Sequence, residues 1–539
     1  MWPFSRDSVS VTRVACATVG IVGTLYLADR MKRTGRREKP SPSGSPTLPI
    51  VGNLTIPSNE KVWDRLTGWT RQYGEIYSLK LGPGNAVILS SMAAVKEIVE
   101  KNSGLITGRS RSALMDSTAD GVLTICIARR WRPVREFLTF QACQQHLGIQ
   151  HAEATQLMFD ILSEPINFCN QIRRYAASTA FSVVFGKRTP QPTTPEVIEF
   201  FAAQHSLELL PEPDVVRPFG VIPMLQHVSE GWTRRKKLAN QTRRLETLYS
   251  KLCDELVANI NAEKKNGCWM ETVVERGPEM GLDEGQVVKF GGTLIEDGPD
   301  TTSAFLQTFV FALMNWPEAQ KRAQEEVEMV IGPDRIPAVQ DIDDLPYVQA
   351  LIKETHRWRP TVPLALPHTT IGNILYKEYV IPQDTEVYVN NWTIMHDSGI
   401  FEDPESFRPE RWFQLGLRDE RIFDLMFGIG KYACPGQNLA RNSINLNAMN
   451  FLWAFNISRA KYPSGREKVY DLNDFSPGLL VAPNPFECVI TPRSGGRAGI
   501  IRSEFSNAIP HFEPFEQAMN PEDKDHVAKL RRQAKASFT

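Results

Sequence analysis

The chain has 539 residues, of which 42% are hydrophobic and 23% charged, and its formal net charge is −1. This composition is that of an ordinary folded protein with enough apolar side chains for a large core. The lack of a basic excess argues against a nucleic-acid-binding protein. Eight cysteines are spaced irregularly, without a CxxC pair, so the sequence suggests neither a disulfide framework nor a zinc site.

Residues 1–39 are predicted to form a membrane anchor. Residues 14–28 (VACATVGIVGTLYLA) are apolar, and an extension back to Val9 gives about the 20 residues that cross a bilayer. A cluster of arginines and lysines follows, as far as Lys39, and such clusters remain on the cytosolic side. A cleaved signal peptide is the alternative, although no A-x-A-like site lies immediately before Asp29.

The rest of the chain is predicted to have three parts. Residues 40–53 (PSPSGSPTLPIVGN) contain four prolines and form a stiff hinge. Residues 54–497 contain no comparable linker and are predicted to form one large body. Residues 498–539 form a charged C-terminal extension, which we expect to be solvated or weakly ordered.

Helices dominate the predicted body, and the fold class is mainly α with small β-sheets. Short β-rich runs between turn signals predict strands at 76–81, 86–89 and 385–389. A long helix over 287–314 is apolar on nearly every face, which is typical of a buried helix. An amphipathic helix over 317–331 follows, and Asp344 is predicted to cap a further helix over 345–358.

Four separated stretches contain residues typical of catalytic or cofactor-binding sites. They are WRPVR (131–135), EDGPDTT (296–302), ETHR (354–357) completed by FRPERW (407–412), and FGIGKYACPG (427–436). In this order and spacing they resemble the cytochrome P-450 family of haem-thiolate monooxygenases, over roughly residues 45–495. Stretches such as FEDPESFRPERW (401–412) and FECVITPRS (486–494) look most like its fungal microsomal members of secondary metabolism. The resemblance implies the cytochrome P-450 fold, with haem b between a long central helix and the cysteine loop.

Cys434 is the residue that the resemblance assigns as the axial ligand of the haem iron. A thiolate ligand pushes electron density onto the iron and favours O–O cleavage. Gly430 and Gly436 loosen the turn so that backbone N–H groups can point at the sulfur, and Phe427 is expected to pack beside it. An isolated cysteine in a loop would more simply be an inert core residue.

Further haem contacts are implied by the resemblance. Trp131 and Arg135 match a W-x-x-x-R motif that donates to one haem propionate, and His368 matches a second propionate-binding position. Tyr432 stands where the family favours an arginine that also reaches a propionate, so this contact loses its charge.

Asp300 and Thr301 lie midway along the predicted apolar helix, where polar side chains cost stability. Pro299 removes a helical hydrogen bond, so the helix should bend and open beside them. By resemblance, this groove holds dioxygen while Asp300 and Thr301 relay protons to it; a kink with satisfied side chains is the alternative. Asp297 occupies a position where the family has alanine or glycine, and it would either bind a substrate amine or turn away.

Glu354 and Arg357 are spaced i, i+3 and can pair on one helical face. By resemblance, Arg411 joins them in a buried triad that locks the cysteine loop and does no chemistry. In isolation, an E-x-x-R pair would more simply be a surface salt bridge.

The sequence therefore predicts an oxidoreductase that incorporates molecular oxygen into a small lipophilic molecule, such as a fungal secondary-metabolite intermediate. Electrons would come from an NADPH-cytochrome reductase, with a cytochrome b-type donor as a further candidate, because the chain has no flavin or dinucleotide fingerprint. We expect a single-pass protein of the endoplasmic reticulum membrane, with its catalytic domain facing the cytosol. A haem-thiolate isomerase or dehydratase without a reductase, and a non-catalytic haem-binding scaffold, are the alternatives.

Overall fold

The computed structural model describes residues 36–37, 40–48, 52–53, 61–81, 84–109, 139–208, 229–414, 420–429 and 433–536. These residues divide into two compact units. The described part of the first unit lies before residue 110, in 229–232 and in Leu366–Val389, and that of the second lies in 139–208, 233–365 and 390–536, apart from the gaps given above. The predicted domain boundaries stay predictions.

The first unit is built on a five-stranded sheet with the strand order β1-β2-β7-β4-β3. β2 and β7 pair in parallel, the other neighbours are antiparallel, and β5 and β6 form a separate hairpin. Its elements are α1 (Val62–Tyr73), β1 (Ile76–Leu81), β2 (Gly84–Leu89), α2 (Met92–Val95), a π-helix (Lys96–Glu100), β3 (Ile106–Arg109), β4 (His368–Thr370), β5 (Ile374–Tyr376), β6 (Tyr379–Ile381) and β7 (Thr385–Val389).

The second unit is mainly helical, with one antiparallel pair of strands. Its helices as far as the middle of the chain are α3 (Phe140–Gln144), α4 (Leu147–Ser163), α5 (Phe168–Phe185), α6 (Pro195–Glu208), α7 (Ser229–Asn261), α8 (Trp269–Arg276), α9 (Glu284–Glu296), α10 (Pro299–Asn315), α11 (Pro317–Val330) and α12 (Pro346–Trp358). They are followed by α13 (Asn391–Met395), α14 (Arg411–Gln414), α15 (Glu420–Asp424), α16 (Gln437–Ala454), β8 (Phe455–Arg459), β9 (Cys488–Pro492), α17 (Gly495–Asn507), α18 (Ile509–Phe512) and α19 (Pro521–Ala536).

The predicted fold class, mainly α with small sheets, is confirmed. The strands predicted at 76–81 and 385–389 have the bounds of β1 and β7, and the predicted strand at 86–89 lies within β2. Burial of these β-branched and aromatic side chains explains why short runs form strands: all six residues of β1 are buried.

The predicted helix over 287–314 is interrupted in the structure. α9 ends at Glu296 and α10 begins at Pro299, so the opening predicted beside Pro299 is present. α10 forms the core of the second unit, because all its residues from Thr302 to Met314 are buried. Burial of each large apolar side chain contributes about 1.5–3 kcal/mol, so tertiary packing holds this helix rather than its intrinsic propensity.

The predicted cap of the helix with the E-x-x-R motif is wrong. α12 begins at Pro346, Leu345 is its N-cap, and Asp344 ends a preceding 3-10 helix (Val339–Asp344). Proline suits the first helical position because its φ is preset and no N–H is needed there, and it disfavours a helical conformation in the residue before it.

The C-terminal extension is helical and packed, so the expectation of a solvated or weakly ordered segment is wrong. Phe505 of α17 is buried and stacks on Phe159 of α4, with ring centroids 4.5 Å apart. Phe512 and Phe515 are buried as well. These rings, rather than the many charges around them, determine how the segment folds.

Charged residues of the extension form contacts with earlier parts of the second unit. Arg188 Nη1 donates to Glu516 Oε1 at 2.5 Å, and its guanidinium lies 3.6 Å from the centroid of the Phe512 ring. Asp523 is 1% exposed and accepts a 2.8 Å hydrogen bond from Thr194 Oγ1, directly before α6. Composition alone marked these residues as solvated because it cannot show that they are paired.

The residues predicted to anchor the chain lie mostly outside the described ranges. Within those ranges, no helix is both long enough and apolar enough to cross a bilayer. Arg37, from the predicted basic cluster, is tied to the first unit: it donates to Ser78 Oγ of β1 at 2.7 Å and to the carbonyl of Ser45 at 2.9 Å.

Candidate active site

Cys434 lies between a tight turn and the start of α16. A 3-10 helix (Leu425–Phe427) ends at Gly428, whose φ of 77° and ψ of 168° favour glycine. The chain then returns, and the N–H of Cys434 donates to the carbonyl of Phe427 at 2.5 Å. Phe427 and Cys434 are therefore joined directly through their backbones.

Gly436 contributes differently from Gly428. Its φ of −78° and ψ of 4° are open to other residues, and a Cβ there would lie 3.9 Å from the Cys434 sulfur, an ordinary contact. It is the N-cap of α16 and offers no side-chain cap, so the first N–H groups of this 18-residue helix, which starts close after Cys434 in the chain, receive no side-chain acceptor from it. The helix predicted to begin at this point is confirmed.

The sulfur of Cys434 lies in an environment that disfavours its charge. Burial raises the pKa of the Cys434 thiol to about 12, the Asp297 carboxylate adds to the rise, and the N–H of Gly436, hydrogen bonded to the sulfur, lowers it. The effect of Asp297 shows that the cysteine loop and the break between α9 and α10 lie close together. A metal cation at the sulfur would reverse this balance, because coordinating thiols lose their proton.

The helix break is stabilised by Thr301. Its Oγ1 donates to the carbonyl of Asp297 at 2.8 Å and lies 3.3 Å from that of Gly298. Pro299 has no N–H for the carbonyl of Ile295, which accepts the N–H of Gly298 at 3.3 Å instead. The Thr301 hydroxyl ties the first turn of α10 to the residues of the break itself.

Asp300 is half-buried, but its Oδ2 is shielded from solvent and has no hydrogen-bond partner among the described residues. Burial raises the pKa of Asp300 to about 7, although the charge of Arg173 opposes the rise. A carboxyl group that titrates near neutral pH can both take up and release a proton. A carboxyl group with a raised pKa therefore lies directly beside Thr301 in the chain.

Glu296 is a site residue that the sequence reasoning missed. It is buried at the end of α9, where its Oε1 accepts a 3.2 Å hydrogen bond from the Tyr249 hydroxyl of α7, and its carbonyl accepts one from Gln204 of α6. Burial, and then the charge of Asp297, raise the pKa of Glu296 to about 8. The helix break is thereby held from two other helices. The only sequence signal was an acidic residue at an apolar position of the predicted helix.

The structure brings Glu354, Arg357 and Arg411 together. The fully buried Glu354 carboxylate accepts from Arg357 Nε and Nη2, both at 2.9 Å, and from Arg411 Nε at 3.0 Å. It also accepts from Trp412 Nε1 at 3.0 Å and from the N–H of Arg408 at 2.8 Å. One carboxylate therefore organises both arginines and the start of α14.

Arg357 extends the same network to the chain between α13 and α14. Its Nη1 donates to the carbonyl of Met395 at 3.0 Å and to that of Pro404 at 2.7 Å. The side chains of Arg357 and Glu354 are fully buried, which distinguishes the triad from a surface ion pair.

The roles of the remaining predicted site residues stay predictions. His368 lies half-buried in β4 of the first unit, where it is opposite Val387 of β7. Trp131, Arg135, Gly430 and Tyr432 lie outside the described residues, and their roles stay predictions.

The residues present fit a haem with a sulfur ligand. Cys434 supplies a soft donor that already accepts a backbone N–H, and the opened helix near it presents the Thr301 side chain and the orphaned Oδ2 of Asp300. The apolar α10 continues from this point, and its residues from Thr302 to Met314 are buried.

Comparisons with known proteins agree with this geometry. The family model described as Cytochrome P450 matches residues 42–488. The chain is 35% identical over 500 residues to a cytochrome P450 monooxygenase of Armillaria gallica, covering 90% of this chain and 95% of the relative. It is 30% identical over 536 residues to one of Arthrobotrys oligospora, covering 94% and 99%. A third relative, from Aspergillus niger, is 31% identical over 500 residues, covering 88% and 93%.

The match to the family model spans most of the chain, and the alignments with the relatives cover nearly the whole length of each relative. The predicted resemblance is thus confirmed, including its fungal character. The chain belongs to the cytochrome P450 family, and it is a haem-dependent monooxygenase.

Proposed function

We propose that the protein inserts one atom of dioxygen into a lipophilic small molecule of fungal secondary metabolism, with electrons from NADPH delivered by a separate cytochrome reductase. A cytochrome b-type protein is a further candidate donor. Haem b, held by Cys434, supplies the oxygen chemistry when bound, and the chain orients the substrate, excludes water and provides protons. The observation that carries the proposal is the pairing of the Cys434 loop with an opened helix that contains Asp300 and Thr301.

A carbon monoxide difference spectrum of the reduced protein, followed by an oxygen-uptake assay, tests this function. The first should give the red-shifted Soret band of a thiolate ligand, and the second should show NADPH-dependent uptake with a reductase and candidate substrates, with one ¹⁸O atom in the product. Turnover without a reductase would instead support an isomerase or dehydratase. A normal band without any turnover across pathway intermediates would support a haem-binding scaffold.

Asp300 and Thr301 would supply protons in the groove between α9 and α10 during turnover of the haem-loaded enzyme. Replacement of Thr301 by alanine removes the hydroxyl that now bonds to the Asp297 carbonyl. We expect NADPH consumption to continue while hydrogen peroxide replaces much of the product, because general acid–base groups of this kind contribute about 10²–10⁴-fold. The ratio of product to NADPH consumed measures the effect.

Thr308→Ala is the matched control for this experiment. Thr308 lies further along α10, and its hydroxyl donates in the same way to a carbonyl four residues earlier, that of Ala304, at 2.8 Å. The ratio should stay at the wild-type value in this variant. Full coupling in Thr301→Ala would contradict the proton-delivery role.

We also propose that residues 1–39 hold the protein on the endoplasmic reticulum membrane as a single-pass anchor, with the catalytic part in the cytosol. The apolar stretch 14–28 and the basic cluster after it support this topology. Arg37 determines where a deletion should end, because its contacts to Ser78 and Ser45 belong to the fold of the first unit.

Deletion of residues 1–35 should move the protein from the membrane fraction to the soluble fraction while its melting temperature is preserved. Deletion of residues 1–39 should have the same effect on localisation but lower the melting temperature, because it also removes Arg37. Fractionation and thermal unfolding measure the two effects separately. Complete retention on membranes after either deletion would place the anchor elsewhere.

A further inference from the structure

Arg441 is a charged residue beside the cysteine loop that neither the sequence motifs nor the proposed chemistry uses. It lies in α16, seven residues after Cys434, and its guanidinium carbon is 4.8 Å from the centroid of the Phe427 ring. The same group lies 5.1 Å from the centroid of the Phe423 ring. Arg441 Nη2 donates to Asp424 Oδ1 at 2.9 Å, which fixes the guanidinium over both rings.

Phe427 links Arg441 to the backbone of Cys434. Phe427 carries the carbonyl that accepts the N–H of Cys434 at 2.5 Å, so a change in the position of its ring changes the support of the cysteine. Guanidinium groups are attracted to the faces of aromatic rings within about 6 Å. Arg441 therefore holds Phe427 by its charge as well as by its bulk.

Asp424 is the carboxylate that contacts the Arg441 guanidinium, and a cavity beside them adds further charged groups. A cavity of about 130 Å³ lies against Phe427 and Arg441, and its other charged or titratable lining groups are Asp343, Lys353 and His356. His356 is only 6% exposed, and both burial and the charge of Arg441 hold the pKa of His356 well below its ordinary value. Its imidazole is neutral, so the cations at this face are Arg441 and Lys353, of which Arg441 contacts Phe427.

Electrostatics gives such a cation a definite effect. Reduction adds a negative charge to an iron site that already carries a thiolate, and a nearby positive charge stabilises the reduced form. A carboxylate paired with that cation opposes it. Charge and hydrogen bonding around the ligand sulfur are known levers on the potential of such sites.

We propose that the charges of the Arg441–Asp424 pair set the reduction potential of the haem bound by Cys434, with the Arg441 guanidinium held over Phe427 beside the cysteine loop. The proposal rests on the proposed function, because it requires a haem-thiolate site. Arg441 raises the potential and Asp424 moderates that rise, so the two charges together fix how readily the first electron is accepted.

The test is a spectroelectrochemical titration of the ferric–ferrous couple in the full-length holoprotein. Arg441→Gln should shift the midpoint potential to a more negative value, and Arg441→Lys should retain most of the wild-type potential. Asp424→Asn should shift it to a more positive value. A purely structural role of the pair would give shifts of one sign for Arg441→Gln and Asp424→Asn, since both variants break the same contact.

Arg322→Gln is the matched control. Arg322 lies over the ring of Tyr347, 4.8 Å from its centroid, and is paired with Glu410, so it repeats the same arrangement in α11, away from the cysteine loop. The midpoint potential of Arg322→Gln should equal that of the wild type. Unchanged potentials in Arg441→Gln and Asp424→Asn, or shifts of equal sign, would overturn the inference.

Failure of this inference and failure of the proposed function are distinguishable. If the wild-type protein lacks the thiolate-type carbon monoxide band, the proposed function fails before any potential is measured. If that band is present in the wild type and in all variants but their potentials coincide, only the role of Arg441 and Asp424 is refuted.

Discussion

Replacement of Cys434 by serine is expected to abolish both the red-shifted carbon monoxide band and NADPH-dependent product formation. A hydroxyl oxygen cannot replace the electron donation of a thiolate to the haem iron. The sulfur is also the atom to which the N–H of Gly436 is hydrogen bonded, so the loop around it is built for this ligand. Reduced difference spectra and turnover with a reductase measure the two losses.

Cys253→Ser is the matched control for this prediction. Cys253 is a buried cysteine of α7, and burial raises its pKa to about 12, as it does for Cys434. It lies outside the cysteine loop, so the carbon monoxide band and the turnover should be unchanged when it is replaced. Circular dichroism should show that both variants are folded. A thiolate-type band in Cys434→Ser would show that Cys434 is not the ligand of the haem iron.

Sequence reasoning predicted the parts of the fold whose signals are local. The amphipathic pattern after Pro317 gave α11 almost to the residue, and Pro299 within an apolar run predicted the opening between α9 and α10. Both follow from rules that act within one turn of helix. The position of Asp344 was misjudged because a following proline competes with a capping side chain for the start of a helix.

Contacts between distant segments could not be predicted in the same way. Tyr249 reaches Glu296 across 47 positions of the chain, and Arg188 reaches Glu516 across 328. In the sequence, each of these residues is simply a polar side chain in a helical or charged stretch. Only the packed structure shows that their partners are present, and that pairing decides whether a charge is solvated or buried.

The candidate site was predicted unevenly for the same reason. The residues of the triad were identified by family resemblance, whereas the five donors around Glu354 include Trp412 Nε1 and the N–H of Arg408, which lie in the quoted FRPERW motif but received no role from it. Arg441 lies close in sequence to Cys434, but its stacking on Phe427 depends on how the turn at Gly428 returns.

Replacement of Glu354 by glutamine should destabilise the second unit strongly. The carboxylate compensates two buried arginines, and glutamine keeps the shape but loses the charge and turns an amide N–H₂ toward the guanidinium donors. Breaking a buried ion pair by removing one partner costs about 3–5 kcal/mol. Denaturant unfolding of the variant should show a loss of this size, together with reduced incorporation of haem.

Glu402→Gln separates the role of the triad from a general effect of charge in this part of the chain. The Glu402 side chain is 91% exposed and pairs with Arg408 at 3.4 Å. An exposed pair of this kind contributes roughly 0–1 kcal/mol, so the free energy of unfolding should hardly change. A comparably small change in Glu354→Gln would mean that the two arginines find other partners. In that case Glu354 would not hold α12 to the start of α14.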